Sequence, residues 1–167
     1  IFRKIKPDIN LILGDRDEAF ASALAASHMN IPNAHIHGGD RTMAGIDEYI
    51  RHAITKLSNF HFVSNDEARK RLLQMGEDKK SIFVIGSPDI DVMLSPDLPI
   101  LQDVKEKYKI DFKDYAILVY HSVVTDLVNL KTNLQNVIQS LLYSELSYVV
   151  IYPNNDPGSE IIEDLYE

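Results

Sequence analysis

Acidic and imidazole side chains follow short apolar runs in this chain, where they are placed to do proton chemistry. Asp15 and Arg16 come directly after one such run, and His35, His37 and Asp40 lie within and just after the next. Carboxylates and imidazoles are the usual general acids and bases, and arginine pairs with carboxylates or holds anions. The pattern therefore indicates acid–base chemistry on an anionic ligand.

These groups also have structural interpretations. Asp15 precedes a predicted helix and could cap it. His35 and His37 are two residues apart on a predicted strand and would share one face, so a zinc site needs only a third ligand, Asp40 or His52. The Gly38-Gly39 pair would then let the backbone approach a ligand closely. The other interpretation is a tight turn with solvated histidines. Because the chain has no Cys and no His-Glu-x-x-His motif, we predict neither metal nor cofactor.

Further candidates lie on a helix and at a later strand end. Asp47 and Arg51 are four residues apart on a predicted helix and share a face, either as a surface ion pair or as site residues. His121 ends an apolar run and could be structural or catalytic, and Asn154 follows the last run. No Gly-x-Ser-x-Gly elbow, phosphate-binding Walker loop or Gly-x-Gly-x-x-Gly is present, which argues against serine hydrolases and against ATP or NAD binding by those loops.

The elements that must position these groups alternate between strand and helix. Short apolar runs predict strands, and apolar residues at helical spacing predict helices between them. This order is typical of an α/β fold with a parallel sheet covered on both faces, in which ligands bind beyond the carboxyl ends of the strands. The predicted strands are 9–13, 33–37, 60–63 and 82–85; the helices are 19–28, 46–57 and one that Asn65 or Asp66 caps and Gly76 ends.

The alternation breaks around three prolines and then restarts. Pro88, Pro96 and Pro99 fall within a short stretch without a clear pattern. A polar helix at 102–108, strands at 115–120 and 148–152, a helix at 127–142 and a helix starting at 160 follow. We expect residues 1–95 to be the later part of a first Rossmann-like domain, 96–112 a linker with a connecting helix, and 113–167 the start of a second Rossmann-like domain.

Composition excludes several classes of protein. The 167 residues carry 17 Lys and Arg against 25 Asp and Glu, a net charge of −8, which argues against binding nucleic acids or anionic membranes. No apolar run approaches the roughly 20 residues that span a bilayer, and no secretory signal is visible. We therefore expect a cytoplasmic protein. Because the chain lacks an initiator Met and ends within a helical pattern, we also expect it to be a fragment, inactive or nearly so by itself.

The combined motifs resemble the UDP-N-acetylglucosamine 2-epimerases, most closely their hydrolysing, sialic-acid-pathway branch. The resemblance covers nearly the whole chain, and the order and spacing of the motifs carry it rather than any one of them. The strings are Gly14-Asp15-Arg16, His35-Ile36-His37-Gly38-Gly39-Asp40, Ile46-Asp47-Glu48 with Arg51-His52, Gly86-Ser87-Pro88, His121 with Thr125-Asp126, and Tyr152-Pro153-Asn154.

The resemblance implies an incomplete two-domain, glycosyltransferase-B-like fold with its site in the cleft between domains, in an enzyme that forms dimers or tetramers. It implies a UDP-amino-sugar substrate that loses UDP by anti elimination, after which water adds to the glucal. It also implies roles for residues. Asp15 and Asp47 would be acid–base carboxylates and His121 would sit near the diphosphate. Substrate contacts would come from Arg16, His35, Asp40, Arg51 and Asn154.

One position departs from the family. Many relatives have Glu in a His-Ile-Glu-Gly-Gly string where this chain has His37. Either His37 is the acid or base there, since imidazole titrates near neutral pH, or Asp40 substitutes, or the substrate is a related UDP-amino sugar. A non-hydrolysing epimerase, a glycosyltransferase of similar architecture and a binding module remain alternatives.

Overall fold

The computed structural model describes residues 1–42 and 45–167, which form two compact units. The first comprises Ile1–Pro96 and the second Asp97–Glu167. Each unit contains a parallel sheet flanked by helices, and each is described here by itself. The α/β class that the sequence predicts is confirmed.

The sheet of the first unit has its strands in sequential order. Strands β1 (Asn10–Leu13), β2 (Asn33–Ile36), β3 (Phe60–Val63) and β4 (Ile82–Val84) pair in the order β1-β2-β3-β4, all parallel. The register aligns Ile12 with His35, His35 with His61, and His61 with Ile82. Side chains alternate between the faces of a strand, so this row lies on one face.

Three helices connect these strands: α2 (Asp17–His28), α3 (Asp47–Lys56) and α4 (Asp66–Gln74). A further helix, α1 (Phe2–Ile5), precedes β1, and α5 (Pro88–Met93) follows β4. The predicted strands and helices up to β4 are confirmed to within two residues. The Asn65 side chain accepts a hydrogen bond from the Ala68 amide, which confirms Asn65 as the cap of α4. The segment after Ser87 was expected to lack regular structure, but α5 forms there because proline is favoured in the first turn of a helix.

The core of the first unit lies between one sheet face and the helices. One cluster joins Ile12 to Ala23, Ile50 and Ile54, and another joins Val63 and Ile82 to Ala68 and Leu72. Right-handed crossovers between strands in sequential order place successive helices on the same face.

The opposite face of this sheet is only partly covered by the described residues, in contrast to the predicted coverage of both faces, although Ala34 in its middle is 1% exposed. Leu11 and Leu13 on β1 are 63% and 58% exposed, and Phe83 on β4 is 44% exposed. On that face the rings of Phe62 and Phe83 stack with their centroids 5.6 Å apart.

The second unit pairs two parallel strands, β5 (Ala116–Val119) and β6 (Tyr148–Ile151). Its helices are α6 (Leu101–Tyr108), α7 (Leu130–Tyr143) and α8 (Ser159–Tyr166), and its core joins Leu130, Leu134 and Ile162. The α-helix expected from residue 127 starts at Leu130 instead. A 3₁₀ segment, Val124–Asn129, precedes it, because Asp126 departs from helical geometry (φ −135°, ψ 40°).

Candidate functional site

The carboxyl ends of β1 to β4 form one edge of the first sheet, and the predicted site residues of this unit follow those ends. The Gly14 amide donates to the Ile36 carbonyl, and the His37 amide donates to the Phe62 carbonyl, so the loops leave neighbouring strands side by side. The helix α3 starts at the same edge, since it follows β2. The sequence rule that ligands bind beyond the carboxyl ends of parallel strands therefore selects one continuous region.

Asp15 pairs with Arg51 in this region. The Arg51 Nη2 donates to Asp15 Oδ2, with Arg51 8% exposed overall and the Asp15 side chain 18% exposed. The helix cap at this position is Arg16, not Asp15, so the prediction of Asp15 as an N-cap is wrong. Asp47 is the first residue of α3, one turn before Arg51, and is partly buried. Breaking a mostly buried pair of this kind is costly, because the remaining charge is left desolvated. Each group therefore holds the other in position.

His35 is fully buried, and both of its ring nitrogens are engaged. Nε2 lies 2.8 Å from the Gly14 carbonyl oxygen, which can only accept, so Nε2 carries the proton; Nδ1 then accepts from Thr55 Oγ1 at 3.1 Å. Burial lowers the pKa of His35 from 6.5 to about 4, although the Gly14 hydrogen bond opposes the shift. A neutral ring in this position links the loop after β1 to α3.

His37 belongs to a chain of polar contacts after β2. Its Nδ1 lies 2.8 Å from Asp40 Oδ2, and Asp40 Oδ1 accepts from Ser64 Oγ at 2.5 Å. On the other side of the ring, Nε2 lies 3.4 Å from Ser87 Oγ. The chain thus connects residues that follow β2, β3 and β4.

The two histidines of this motif do not form a paired site. The strand ends at Ile36, and His37 adopts a left-handed conformation with φ +66°, so the alternation that would put both rings on one face stops before it. Their rings contact different groups, and His52 lies 3.7 Å from Glu48 Oε1. Among residues 1–42 and 45–167, no three His, Asp or Glu side chains come close enough together to hold a metal ion.

The Gly38-Gly39 pair serves packing. A Cβ on Gly38 would lie 3.0 Å from both His35 Nδ1 and Thr55 Oγ1, and one on Gly39 (φ +80°) would lie 2.6 Å from the Ala68 carbonyl oxygen and clash with Leu72. The sequence predicts that these glycines let a ligand come close. In the structure, the groups that approach them closely are side chains and backbone of α3, α4 and β2.

Another cluster of ionisable side chains joins His61 and Glu77, which are mostly buried, to the half-exposed Lys56. His61 is 1% exposed, its Nε2 lies 3.2 Å from Glu77 Oε2, and Lys56 Nζ lies 2.7 Å from Glu77 Oε1. Burial lowers the pKa of His61, and Glu77 opposes that shift. The cluster joins the carboxyl end of α3 to the loop after α4, away from the strand ends that carry Asp15 and His37.

The site residues predicted in the second unit follow β5 and β6. His121 and Asn154 are both exposed, and the two strands are neighbours with Val119 opposite Ile151. Ser122 Oγ donates to the Pro157 carbonyl at 2.7 Å, which ties the two strand exits together. Arg16, in the first unit, is 44% exposed in its side chain and its Nε lies 4.0 Å from Glu18 Oε1.

Sequence reasoning missed several groups that complete the first unit's arrangement. Thr55 and Arg71 lie on helices, and their hydrogen bonds to His35 and to the Gly39 carbonyl depend on tertiary packing. Ser64 and Ser87 follow β3 and β4, so the strand-end rule marks their positions without giving their partners. In the part of the chain that the structure describes, no helix is both long and apolar enough to pass through a lipid bilayer.

Comparison with known proteins gives consistent matches over the whole chain. The family model described as UDP-N-acetylglucosamine 2-epimerase matches residues 1–167. The chain is 38% identical over 168 residues to the UDP-N,N'-diacetylbacillosamine 2-epimerase (hydrolyzing) of Legionella pneumophila, covering 100% of this chain and 44% of that protein. It is 42% identical over 159 residues to the UDP-N-acetylglucosamine 2-epimerase of Neisseria meningitidis serogroup B, covering 95% of this chain and 42% of that protein.

A solved structure has the same fold. The crystal structure of UDP-GlcNAc 2-epimerase from Neisseria meningitidis bound to UDP-GlcNAc superposes with a TM-score of 0.76 at 24% identity, covering 98% of this chain and 47% of that one. The chain therefore spans somewhat less than half the length of the relatives it matches.

Proposed function

Since the chain belongs to the UDP-N-acetylglucosamine 2-epimerase family, whose model matches all 167 of its residues, we propose that its protein is a hydrolysing 2-epimerase. The substrate is UDP-N-acetylglucosamine, and the products are N-acetylmannosamine and UDP. Both relatives described above are named as 2-epimerases, and one of them is named as hydrolyzing.

The reaction has two stages. A base takes the C2 proton, the C2–H electron pair forms a C1–C2 double bond, and the C1–oxygen bond breaks so that UDP leaves with its electron pair. Water then adds across the double bond, with hydroxyl to C1 and a proton to C2 on the opposite face. The protein has to accept a proton, return one and stabilise the charge of the departing diphosphate.

The carboxyl edge of the first sheet supports the acid–base assignment. Asp15, Asp47 and His37 are the proposed acid–base groups, and the observation that carries the proposal is the Asp15–Arg51 pair beside the His37–Asp40 contact. A partly buried edge with fixed carboxylate, guanidinium and imidazole groups matches what this elimination needs. Arg16 and Arg51 belong to the proposed substrate side. His35 is fully buried with both ring nitrogens engaged, so we propose that it acts there by holding the Gly14 loop and Thr55 rather than by touching the sugar.

The second unit is proposed to contribute His121 to the diphosphate and Asn154 to substrate binding. Both residues follow the carboxyl ends of their strands and are exposed. The proposal keeps the division into 1–95, 96–112 and 113–167, a homo-oligomeric assembly and a cytoplasmic location. It includes no metal and no cofactor.

A related sugar nucleotide is the second candidate substrate. The Legionella relative, at 38% identity, is named for UDP-N,N'-diacetylbacillosamine. This chain has His37 where the resemblance leads us to expect Glu, and a changed acid–base group fits a changed amino sugar.

The test is product analysis with the full-length protein that carries this sequence. Each of the two UDP-sugars is incubated separately in D₂O and followed by proton NMR. Free UDP with a free 2-epimeric amino sugar deuterated at C2 supports the hydrolysing reaction and identifies the substrate. A UDP-linked 2-epimer identifies the non-hydrolysing outcome. UDP release that requires an added acceptor identifies a glycosyltransferase, and binding of both sugars without turnover identifies a binding module; either contradicts the proposal.

A further inference from the structure

We propose that Asp40 is a positioning residue which, together with Ser64, holds His37 in the tautomer whose Nε2 accepts the substrate proton. The family resemblance implies substrate binding for Asp40, so this is a different role. The role of His37 in catalysis rests on the proposed function. The tautomer rests on geometry alone.

The contacts of Asp40 determine which nitrogen of His37 carries the proton. Asp40 Oδ2 lies 2.8 Å from Nδ1, and Asp40 Oδ1 already accepts the Ser64 hydroxyl at 2.5 Å. An ionised carboxylate can only accept, so Nδ1 must donate. The lone pair of the neutral ring is then on Nε2. The same logic, with one carboxylate orienting an imidazole, operates in hydrolase triads.

The backbone around His37 is fixed from two other elements. The His37 amide donates to the Phe62 carbonyl of β3 at 3.0 Å, and Arg71 Nη1 on α4 donates to the Gly39 carbonyl at 2.6 Å. Gly39 packs directly on Ala68 of the same helix. The left-handed conformation of His37 (φ +66°) is thereby held before any ligand binds, which is the arrangement expected of a preorganised site.

The other side of the ring is open to a ligand. The His37 side chain keeps 18% of its surface exposed, and its Nε2 has Ser87 Oγ at 3.4 Å and Asp89 Oδ2 at 4.0 Å. The charged groups that face this segment are therefore Asp40, the largely exposed Asp89 of α5, and Arg71 through the Gly39 carbonyl. When Nε2 takes the C2 proton, the ring becomes an imidazolium and the Asp40 carboxylate balances its charge.

Nitrogen NMR of the full-length protein labelled with ¹⁵N-histidine identifies the tautomer of His37, and the measurement does not require enzymatic activity. The His37 signals are assigned by their loss in His37→Gln. Above the pH at which the ring titrates, we expect a protonated Nδ1 and an unprotonated Nε2. Protonation of Nε2 in the neutral ring would overturn the proposal, whether or not the protein turns over a sugar nucleotide.

Kinetics separates positioning from substrate binding. Asp40→Asn is expected to lower kcat by about 10²- to 10⁴-fold, with KM changed by less than about threefold, because general acid–base catalysis contributes on that order. Its matched control, Asp66→Asn, removes an exposed carboxylate from the first turn of α4 and is expected to leave kcat within about twofold of wild type. A raised KM with unchanged kcat in Asp40→Asn would make Asp40 a substrate contact and overturn the proposal.

The serine variants complete the test. Ser64→Ala is expected to lower kcat about tenfold by freeing Asp40, whereas Ser81→Ala, which removes an exposed hydroxyl bonded to the Asp78 carbonyl, should not change kcat. Wild-type kcat in Ser64→Ala contradicts the proposal. Failure of wild-type protein on both UDP-sugars contradicts the proposed function and leaves the NMR result to judge the tautomer.

Discussion

At the residue scale, two carboxylates at the sheet edge are held by different means. Asp15 is fixed by the guanidinium of Arg51, whereas Asp47 opens α3 one turn earlier on the same helix. A carboxylate held by a guanidinium keeps its orientation without substrate. Its loss also leaves the mostly buried Arg51 without its partner, so stability has to be measured beside turnover.

Asparagine substitutions test both carboxylates. Asp15→Asn and Asp47→Asn are each expected to lower turnover by about 10²- to 10⁴-fold in the full-length protein while the circular dichroism spectrum stays that of wild type. Asp17→Asn, which removes an exposed carboxylate from the first turn of α2, is the control and should stay near wild type. Near-normal activity in both Asp15→Asn and Asp47→Asn would refute their catalytic roles.

The buried His35 predicts how stability depends on pH. Its pKa is about 4 when folded and near 6.5 when unfolded, so the unfolded state binds a proton first as the pH falls. The free energy of unfolding should therefore decrease below pH 6.5, by about 3 kcal/mol from this group between pH 7 and pH 4.

Comparing wild type with a variant that lacks the imidazole isolates the contribution of His35. Urea unfolding across that pH range is compared between wild type and His35→Gln, whose amide can still donate to the Gly14 carbonyl but does not titrate. We expect a shallower pH dependence in the variant, since it lacks the titration of His35 while the carboxylates and His61 remain in both proteins. Parallel curves would contradict the assignment. An NMR titration of His35 in wild type measures the same pKa without the variant.

At the element scale, the loop after β2 is fitted to α4 through one glycine. Gly39→Ala combines a left-handed conformation, which costs about 1 kcal/mol for a residue with a Cβ, with a clash against Ala68 and Leu72 that costs roughly 1–3 kcal/mol. Gly76→Ala has the same conformational cost (φ +89°) but open space within 4 Å.

The comparison of these two glycines isolates packing from backbone conformation. We expect Gly39→Ala to lower the free energy of unfolding by clearly more than Gly76→Ala in thermal or urea unfolding. Equal losses would mean that α4 shifts to accept the methyl group without cost. In that case, the loop that carries His37 and Asp40 is held less firmly than the contacts indicate.

Sequence patterns predict these elements better than they predict the contacts between them. The apolar run before Gly14 and the cap at Asn65 depend on neighbours in the chain, so periodicity and cap chemistry suffice for β1 and α4. The pairing of Asp15 with Arg51, 36 positions apart, depends on how α3 packs on the sheet. The burial of His35 likewise depends on tertiary structure, because β2 is an inner strand of the sheet. The short sequence of the strand does not show that position.

At the scale of the whole molecule, one face of the first sheet exposes apolar side chains. Parallel sheets are normally buried on both faces, yet Leu11 and Leu13 on β1 are 63% and 58% exposed, and the stacked Phe62 and Phe83 lie on the same face. Exposed apolar surface of this kind promotes association. The sequence predicts the opposite, because short continuous apolar runs are typical of strands that are covered on both faces.

The 167-residue chain by itself is therefore expected to bind a hydrophobic dye such as ANS and to self-associate in sedimentation experiments. The double variant Leu11→Thr, Leu13→Thr should reduce both effects, since it removes apolar surface from the open face while keeping β-branched residues that suit a strand. The control, Val128→Thr with Leu142→Thr, changes two residues that are 95% and 73% exposed in the second unit. If the control reduces dye binding as much as the β1 variant does, exposed apolar area in general causes the association, and the open sheet face has no special part in it.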